Sequence, residues 1–142
     1  MANFIVEDFH KNELDALDPQ TMREIRKKVV WAGAKVVEKE MRDYINAHHR
    51  VSGEMADSVS QGEVHEDVGS VWVEVYPQGS DSRGVSNEMK NKIINQGYYN
   101  TFSGRSQRKK DPYVRNMRKR IEPRVLAVME QQFTMCMEEL NK

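Results

Sequence analysis

The chain has 142 residues, and its 22 lysines and arginines are matched by 22 aspartates and glutamates, so it is formally neutral. That length predicts a single domain, residues 1–142, and the lone cysteine, Cys136, excludes an internal disulfide. No apolar run reaches the roughly 18 residues that a membrane span needs, and the opening Met-Ala-Asn-Phe-Ile-Val-Glu-Asp lacks the basic region of a signal peptide.

Residues 1–18 are expected to be a flexible lead-in. Asp18-Pro19 then reads as an N-cap followed by proline at the first helical position. Met22, Ile25, Val29, Ala32, Val36, Val37, Met41 and Tyr44 recur at helical spacing, which predicts a helix to about Ala47. Gly33 falls mid-helix, where it costs about 1 kcal/mol relative to alanine; close packing beside Trp31 or a strand is the simpler reason for it, a hinge the sharper one. His48 and His49 mark the helix end.

Ser52-Gly53 breaks the helical pattern. A strand is expected from Ser58 to about His65, turn residues from Asp67 to Ser70, and a clearer strand over Val71-Trp72-Val73-Glu74-Val75-Tyr76 before Pro77. The two strands read as an antiparallel hairpin. A polar loop follows over residues 78–84, and Ser86 caps a short helix through Ile93 and Ile94 that Gly97 closes. Residues 98–110 show no period and are expected to form a long, exposed, basic loop. Asp111-Pro112 can cap another short helix. Ile121-Glu122-Pro123 opens the last one, with Leu126, Met129, Phe133, Cys136 or Met137, and Leu140 as its buried face. The expected fold is α+β: two long helices packed on a small antiparallel sheet, with a short helix and the basic loop.

Patterns that carry chemistry do not assemble. His48 and His49 are adjacent and would diverge on a helix, without a helical histidine or cysteine partner, so no metal site is expected. Ser52, Ser58 and Ser60 lack a G-x-S-x-G turn, and Gly79-Ser80-Asp81-Ser82-Arg83-Gly84 lacks the G-K-[ST] of a phosphate loop. Cys136 sits on an apolar helix face. Glu63, Glu66, Asp67 and Glu74 raise a metal-dependent nuclease, but Tyr76 stands where such a strand would carry lysine. A solvated acidic sheet face is the simpler reading, and the chain is expected to be no enzyme and to take no cofactor.

The charge is unevenly distributed. Arg105, Arg108, Lys109, Lys110, Arg115, Arg118, Lys119, Arg120 and Arg124 are opposed locally only by Asp111 and Glu122, while acids concentrate near the start and over residues 54–74. A chain with opposite poles can bind a polyanion or stack against copies of itself. Tyr98, Tyr99, Phe102 and Tyr113 could interleave with the cations as stacking platforms for nucleic acid, although no recognition-helix, zinc-finger or ribonucleoprotein signature accompanies them. A protein or self-assembly contact is the first reading and a DNA-binding protein using residues 103–124 the alternative. Arg105, Arg108, Lys109, Lys110, Arg115, Arg118 and Lys119 are the candidate contact residues.

Taken in order, several landmarks resemble the gene-product-ten-like head–tail joining, or tail-completion, family of long-tailed bacteriophages and prophages. They are Trp31-Ala32-Gly33-Ala34, Val51-Ser52-Gly53-Glu54-Met55-Ala56-Asp57-Ser58-Val59, the valine-rich Val71 to Val75, Ile93-Ile94-Asn95-Gln96-Gly97, and Asp111-Pro112-Tyr113-Val114-Arg115. The motif positions are Gly33, Ser52, Gly53, Ser58, Asn95, Gly97 and Pro112, within a resemblance spanning roughly residues 20–140. Gln96 replaces the family's usual aromatic, and Asn116 stands where a second proline is frequent. The resemblance implies a non-catalytic virion protein of the neck, assembled as a homo-oligomeric ring that helps join tail to head. It implies other neck and tail proteins as partners, DNA in the lumen without sequence-specific contact, no membrane, and a host bacterial cytoplasm as the place of assembly.

Overall fold

The computed structural model describes residues 2–8, 17–67, 70–100, 105–108 and 110–141. Its first helix, α1 (Pro19–His48), starts as the sequence dictates. The Asp18 carboxylate accepts the Thr21 amide at 3.0 Å and the Thr21 hydroxyl at 2.6 Å, with Pro19 at the first helical position. These bonds, the hydroxyl first, hold the Asp18 carboxyl below its usual range. One stripe of α1 is buried: Ile25, Val29, Val30, Gly33, Ala34, Val37, Met41 and Ile45.

That stripe lies on an antiparallel sheet of three strands, β1 (Phe4–Glu7), β2 (Val59–Asp67) and β3 (Ser70–Pro77), in the order β1-β3-β2. The expected β2–β3 hairpin is present. The lead-in contains a strand where it is described: Phe4–Glu7 pairs with β3 from Phe4↔Val75 to Glu7↔Trp72. The reason is alternation: Phe4 and Val6 are buried, Ile5 and Glu7 exposed. Four residues are too few to announce that period against a generally apolar start. Residues 9–16 lie outside the described residues.

The pleat continues in β3, where Val71, Val73 and Val75 are buried and Trp72, Glu74 and Tyr76 occupy the other face. β2 carries one extra residue, since Gln61 pairs with Val75 but Val64 pairs with Val73. This bulge flips the parity, so Val59 and Val64 both turn to the core although one is odd and the other even. Gly62 suits the bulge because a Cβ there would stand 3.2 Å from the Glu74 carbonyl oxygen.

A single turn, α2 (Glu54–Asp57), links α1 to β2. It was not foreseen, and it begins at Gly53, whose φ of 86° is the left-handed conformation that glycine adopts freely. α3 (Asn87–Gln96) begins as expected, with Ser86 Oγ accepting the Met89 amide at 3.2 Å, and ends at Gly97.

Three expectations for the last third are corrected. The short helix after Pro112 and the last helix are one, α4 (Tyr113–Leu140), with Pro123 inside it. Tyr113, Val114, Met117, Ile121, Val125, Met129, Phe133 and Cys136 form an unbroken buried stripe through the proline, and Pro123 itself is exposed. Packing on both sides therefore holds the helix together, while the ring and the carbonyl it frees lie on the solvent side. The stripe runs through Val125, so Leu126 and Leu140, expected inside, are each 46% exposed.

The expected loop is, in its described part, a two-stranded ribbon, β4 (Tyr98–Asn100) paired with β5 (Arg105–Arg108). Neither strand has an apolar alternation to reveal it. The fold is α+β, with α1 and α4 antiparallel beside the three-stranded sheet: Tyr44 stacks on Tyr113, and Gly33 meets Val125 and Met129. Among the described residues no helix is long and apolar enough to cross a membrane.

Candidate assembly interface

The basic ribbon leaves the body between α3 and α4, and both of its ends are clamped there. The Gly97 amide bonds the Ile93 carbonyl at 2.7 Å and the Asp111 amide bonds the Ile94 carbonyl at 2.7 Å. Asn95 Oδ1 accepts the Val114 amide at 3.1 Å, while its Nδ2 donates to the Asn91 carbonyl at 2.8 Å. Asn91 in turn donates to the Ala2 carbonyl at 2.9 Å and accepts the Tyr113 hydroxyl. A buried polar network thus ties the N-terminus, α3 and the first turn of α4 together.

Asp111 is the outer corner of this pedestal. Its Oδ2 accepts the Tyr44 hydroxyl at 2.8 Å and lies 2.7 Å from His49 Nε2. The Tyr44 and Tyr113 rings stack with centroids 4.6 Å apart and planes at 9°. Burial, then the Asp111 carboxylate, raises the Tyr44 hydroxyl above the ordinary tyrosine value. Burial also raises Tyr113. Both hydroxyls therefore remain protonated donors at neutral pH.

The basic segment divides by geometry. Arg120 lies 3.5 Å from Glu40, and Arg124 pairs with the same carboxylate. Arg118 is turned inward over the Phe4 ring, 5.1 Å from its centroid, and is half-buried, so it does not share the outer surface with the other candidates. Lys110, Arg115 and Lys119 are exposed; Arg115 and Lys119, four residues apart, share one face of α4. Arg105 and Arg108 lie on β5. Their side chains, and Lys109, lie outside the described residues.

The motif positions fall at packing contacts, turns and helix ends. Gly33 packs against Met129 and Val125 of α4, so its nearest neighbours belong to a helix and not to Trp31 or a strand. Ser52 Oγ donates to Glu54 Oε2 at 3.1 Å ahead of the left-handed Gly53. Ser58 ends α2, donating to the Met55 carbonyl at 2.6 Å. Pro112 stands at the N-cap of α4. Asn91 and its contacts to Ala2 and Tyr113 were missed from sequence, yet a signal existed. Asn87, Asn91 and Asn95 recur every fourth residue on α3 and all are buried, and a repeated buried amide requires a network.

Among the described residues no three acidic, histidine or cysteine side chains gather as a metal site would require. Glu66 turns to α1, 3.0 Å from Arg23 and 2.7 Å from Lys27, whereas Glu74 on the opposite sheet face accepts Asn3 Nδ2 at 2.8 Å. A separate apolar cleft between the end of α1, α2 and α3 is lined by Ile45, Val51, Met55, Ile93 and Ile94. The polar groups at its rim are engaged, Lys90 with Asp81 and His49 with Asp111. No protein-family model matches the chain, and neither a curated protein nor a solved structure matches it.

Proposed function

We propose that this chain is a non-enzymatic structural protein of the neck of a long-tailed phage, acting in tail completion or head–tail joining through contacts made by its basic ribbon. The observation that carries the reading is the pedestal. A charged ribbon is set on a buried network of Asn91, Asn95 and Tyr113 with Asp111 at its outer corner, and Lys110, Arg115 and Lys119 are exposed beside it. Such an arrangement ties the root of a basic segment to the body of the fold, which suits a contact surface. The ordered landmarks from Gly33 to Pro112 support the phage reading, and the separation of acidic and basic residues supports self-assembly. On this reading the partners are further copies of the chain and other neck and tail proteins, in the virion and, during assembly, in the host cytoplasm.

The test is charge reversal of Arg108, Lys109 and Lys110 in a phage that carries the gene. Heads and tails should accumulate unjoined while the purified variant keeps its helical content and melting temperature. A normal yield of infectious particles would overturn the reading. Duplex DNA binding tighter than about 1 μM at physiological salt, with a steep salt dependence, would favour the DNA-binding alternative instead.

A further inference from the structure

Among the described residues β1 pairs with β3 on one side and with no strand on the other. The Asp8 amide bonds the Val71 carbonyl at 3.0 Å, which sets the phase of the ladder. By antiparallel alternation, Phe4 and Val6 direct their backbone groups to β3, and Ile5 and Glu7 direct theirs to the open side. The other edge of the sheet, β2, is kinked by its bulge, a feature that discourages strand pairing. β1 has no bulge, proline or lysine. A groove runs beside it, walled by Arg118, Glu122 and Leu126 of α4.

The ribbon presents the converse case. Among the described residues β4 and β5 pair only with each other, over three residue pairs with a register shift between Tyr98 and Tyr99, and isolated two-stranded ribbons are marginal in water. Their charge also complements the open edge. β5 carries Arg105 and Arg108 with Lys109 and Lys110 after it, whereas Glu7 and Glu63 are exposed and Glu74 half-buried around the outer sheet face. On that face Trp72 and His65 stack with centroids 4.3 Å apart.

The geometry points to the basic ribbon of a second copy as the strand that extends this sheet. β5 of one copy pairs along the Ile5–Glu7 side of β1 in the next, bringing a basic strand to an acidic edge. The inference rests on the assembly reading and names the surface that receives the ribbon. Because ribbon and edge are different surfaces, the contact is heterologous and runs head to tail, closing into a ring where the rotation permits.

Ile5→Pro tests the backbone part directly. It removes an amide that points away from β3, so the β1–β3 ladder keeps its bonds while strand addition is blocked. Sedimentation of the purified full chain should show concentration-dependent association, and Ile5→Pro should weaken it by about tenfold or more. Glu7→Lys should weaken it similarly, and combining Glu7→Lys with Arg105→Glu and Arg108→Glu should restore it. In a second measurement, Glu7→Cys copies mixed with Gln107→Cys copies should form a mixed disulfide dimer on oxidation, independent of any effect of proline on folding. Association unchanged by Ile5→Pro, together with no mixed disulfide, overturns this contact but leaves the joining phenotype of the ribbon variant to stand or fall alone. A wild-type chain still monomeric at about 1 mM overturns it too. So does Glu7→Lys leaving association intact while ribbon reversal abolishes DNA binding.

Discussion

Gly33 of α1 and Met129 of α4 meet so closely that a Cβ on the glycine would stand 2.9 Å from both Cγ and Sδ of the methionine. Val125 Cγ1 would lie 3.2 Å away on the same side. Alanine would gain about 1 kcal/mol of helix propensity at this position, but forcing a methyl into a packed contact costs about 1–3 kcal/mol. Overpacking wins because Met129 is 1% exposed and cannot swing into solvent. Gly33→Ala should lower unfolding free energy by about 1 kcal/mol and Gly33→Leu by about 3 kcal/mol or more. Chemical denaturation checks both. In a Met129→Ala background the penalty of Gly33→Ala should vanish, because the two sites share one space.

Asn95→Ala removes the acceptor of the Val114 amide and the donor to the Asn91 carbonyl, both buried. An unmet buried backbone donor costs about 1–3 kcal/mol, so a loss of about 2–3 kcal/mol is expected. The network also holds both ends of the ribbon. Limited proteolysis should therefore accelerate within residues 98–110 more than elsewhere. Uniform acceleration across the chain would show that the pedestal does not set the position of the ribbon.

The parts of the fold that were legible in the sequence are those in which a local signal and a tertiary demand coincide. Asp18-Pro19 and Ser86 are caps wherever they occur, and the valines of β3 alternate strongly enough to stand without their partners. β1 and the ribbon carry too few residues for a period to show, and each depends on pairing with a segment distant in sequence or lacking an apolar pattern. Pro123 misled for the opposite reason. Its local preference is a helix start, and only the buried stripe from Tyr113 to Cys136 overrides it. In the candidate interface, composition located the basic segment. It could not separate Arg118, turned over Phe4, from Arg115 and Lys119, because that depends on where β1 lies.

Pro123 makes a prediction of its own. Within α4 it forfeits one backbone hydrogen bond, and an interior helical proline is about 3 kcal/mol less favourable than alanine. Its exposure lets the ring and the Lys119 carbonyl reach solvent, which offsets part of that. Pro123→Ala should therefore stabilise the protein by about 1–3 kcal/mol, read as a higher denaturation midpoint at unchanged slope. A destabilised variant would mean that the proline is needed to shape α4 against α1.

Asp81 closes the turn before α3 and should be visible in acid. Its Oδ1 accepts the Arg83 amide at 2.9 Å and the Val85 amide at 3.0 Å, and its Oδ2 accepts Lys90 Nζ at 2.8 Å. The Lys90 hydrogen bond first, then the Val85 amide, lower its pKa from 3.8 to about 2. A folded-state value below the unfolded one stabilises the fold above the unfolded pKa, and that contribution fades as pH falls through the folded pKa. The window is thus from 3.8 down to about 2. Urea unfolding between pH 5 and pH 2 should show stability falling with pH in the wild type. Asp81→Asn should be less stable at pH 5, because the amide cannot reproduce the charged bond to Lys90, and its stability should decline less across the same window. Parallel pH profiles for the two proteins would remove Asp81 as a source of the acid sensitivity.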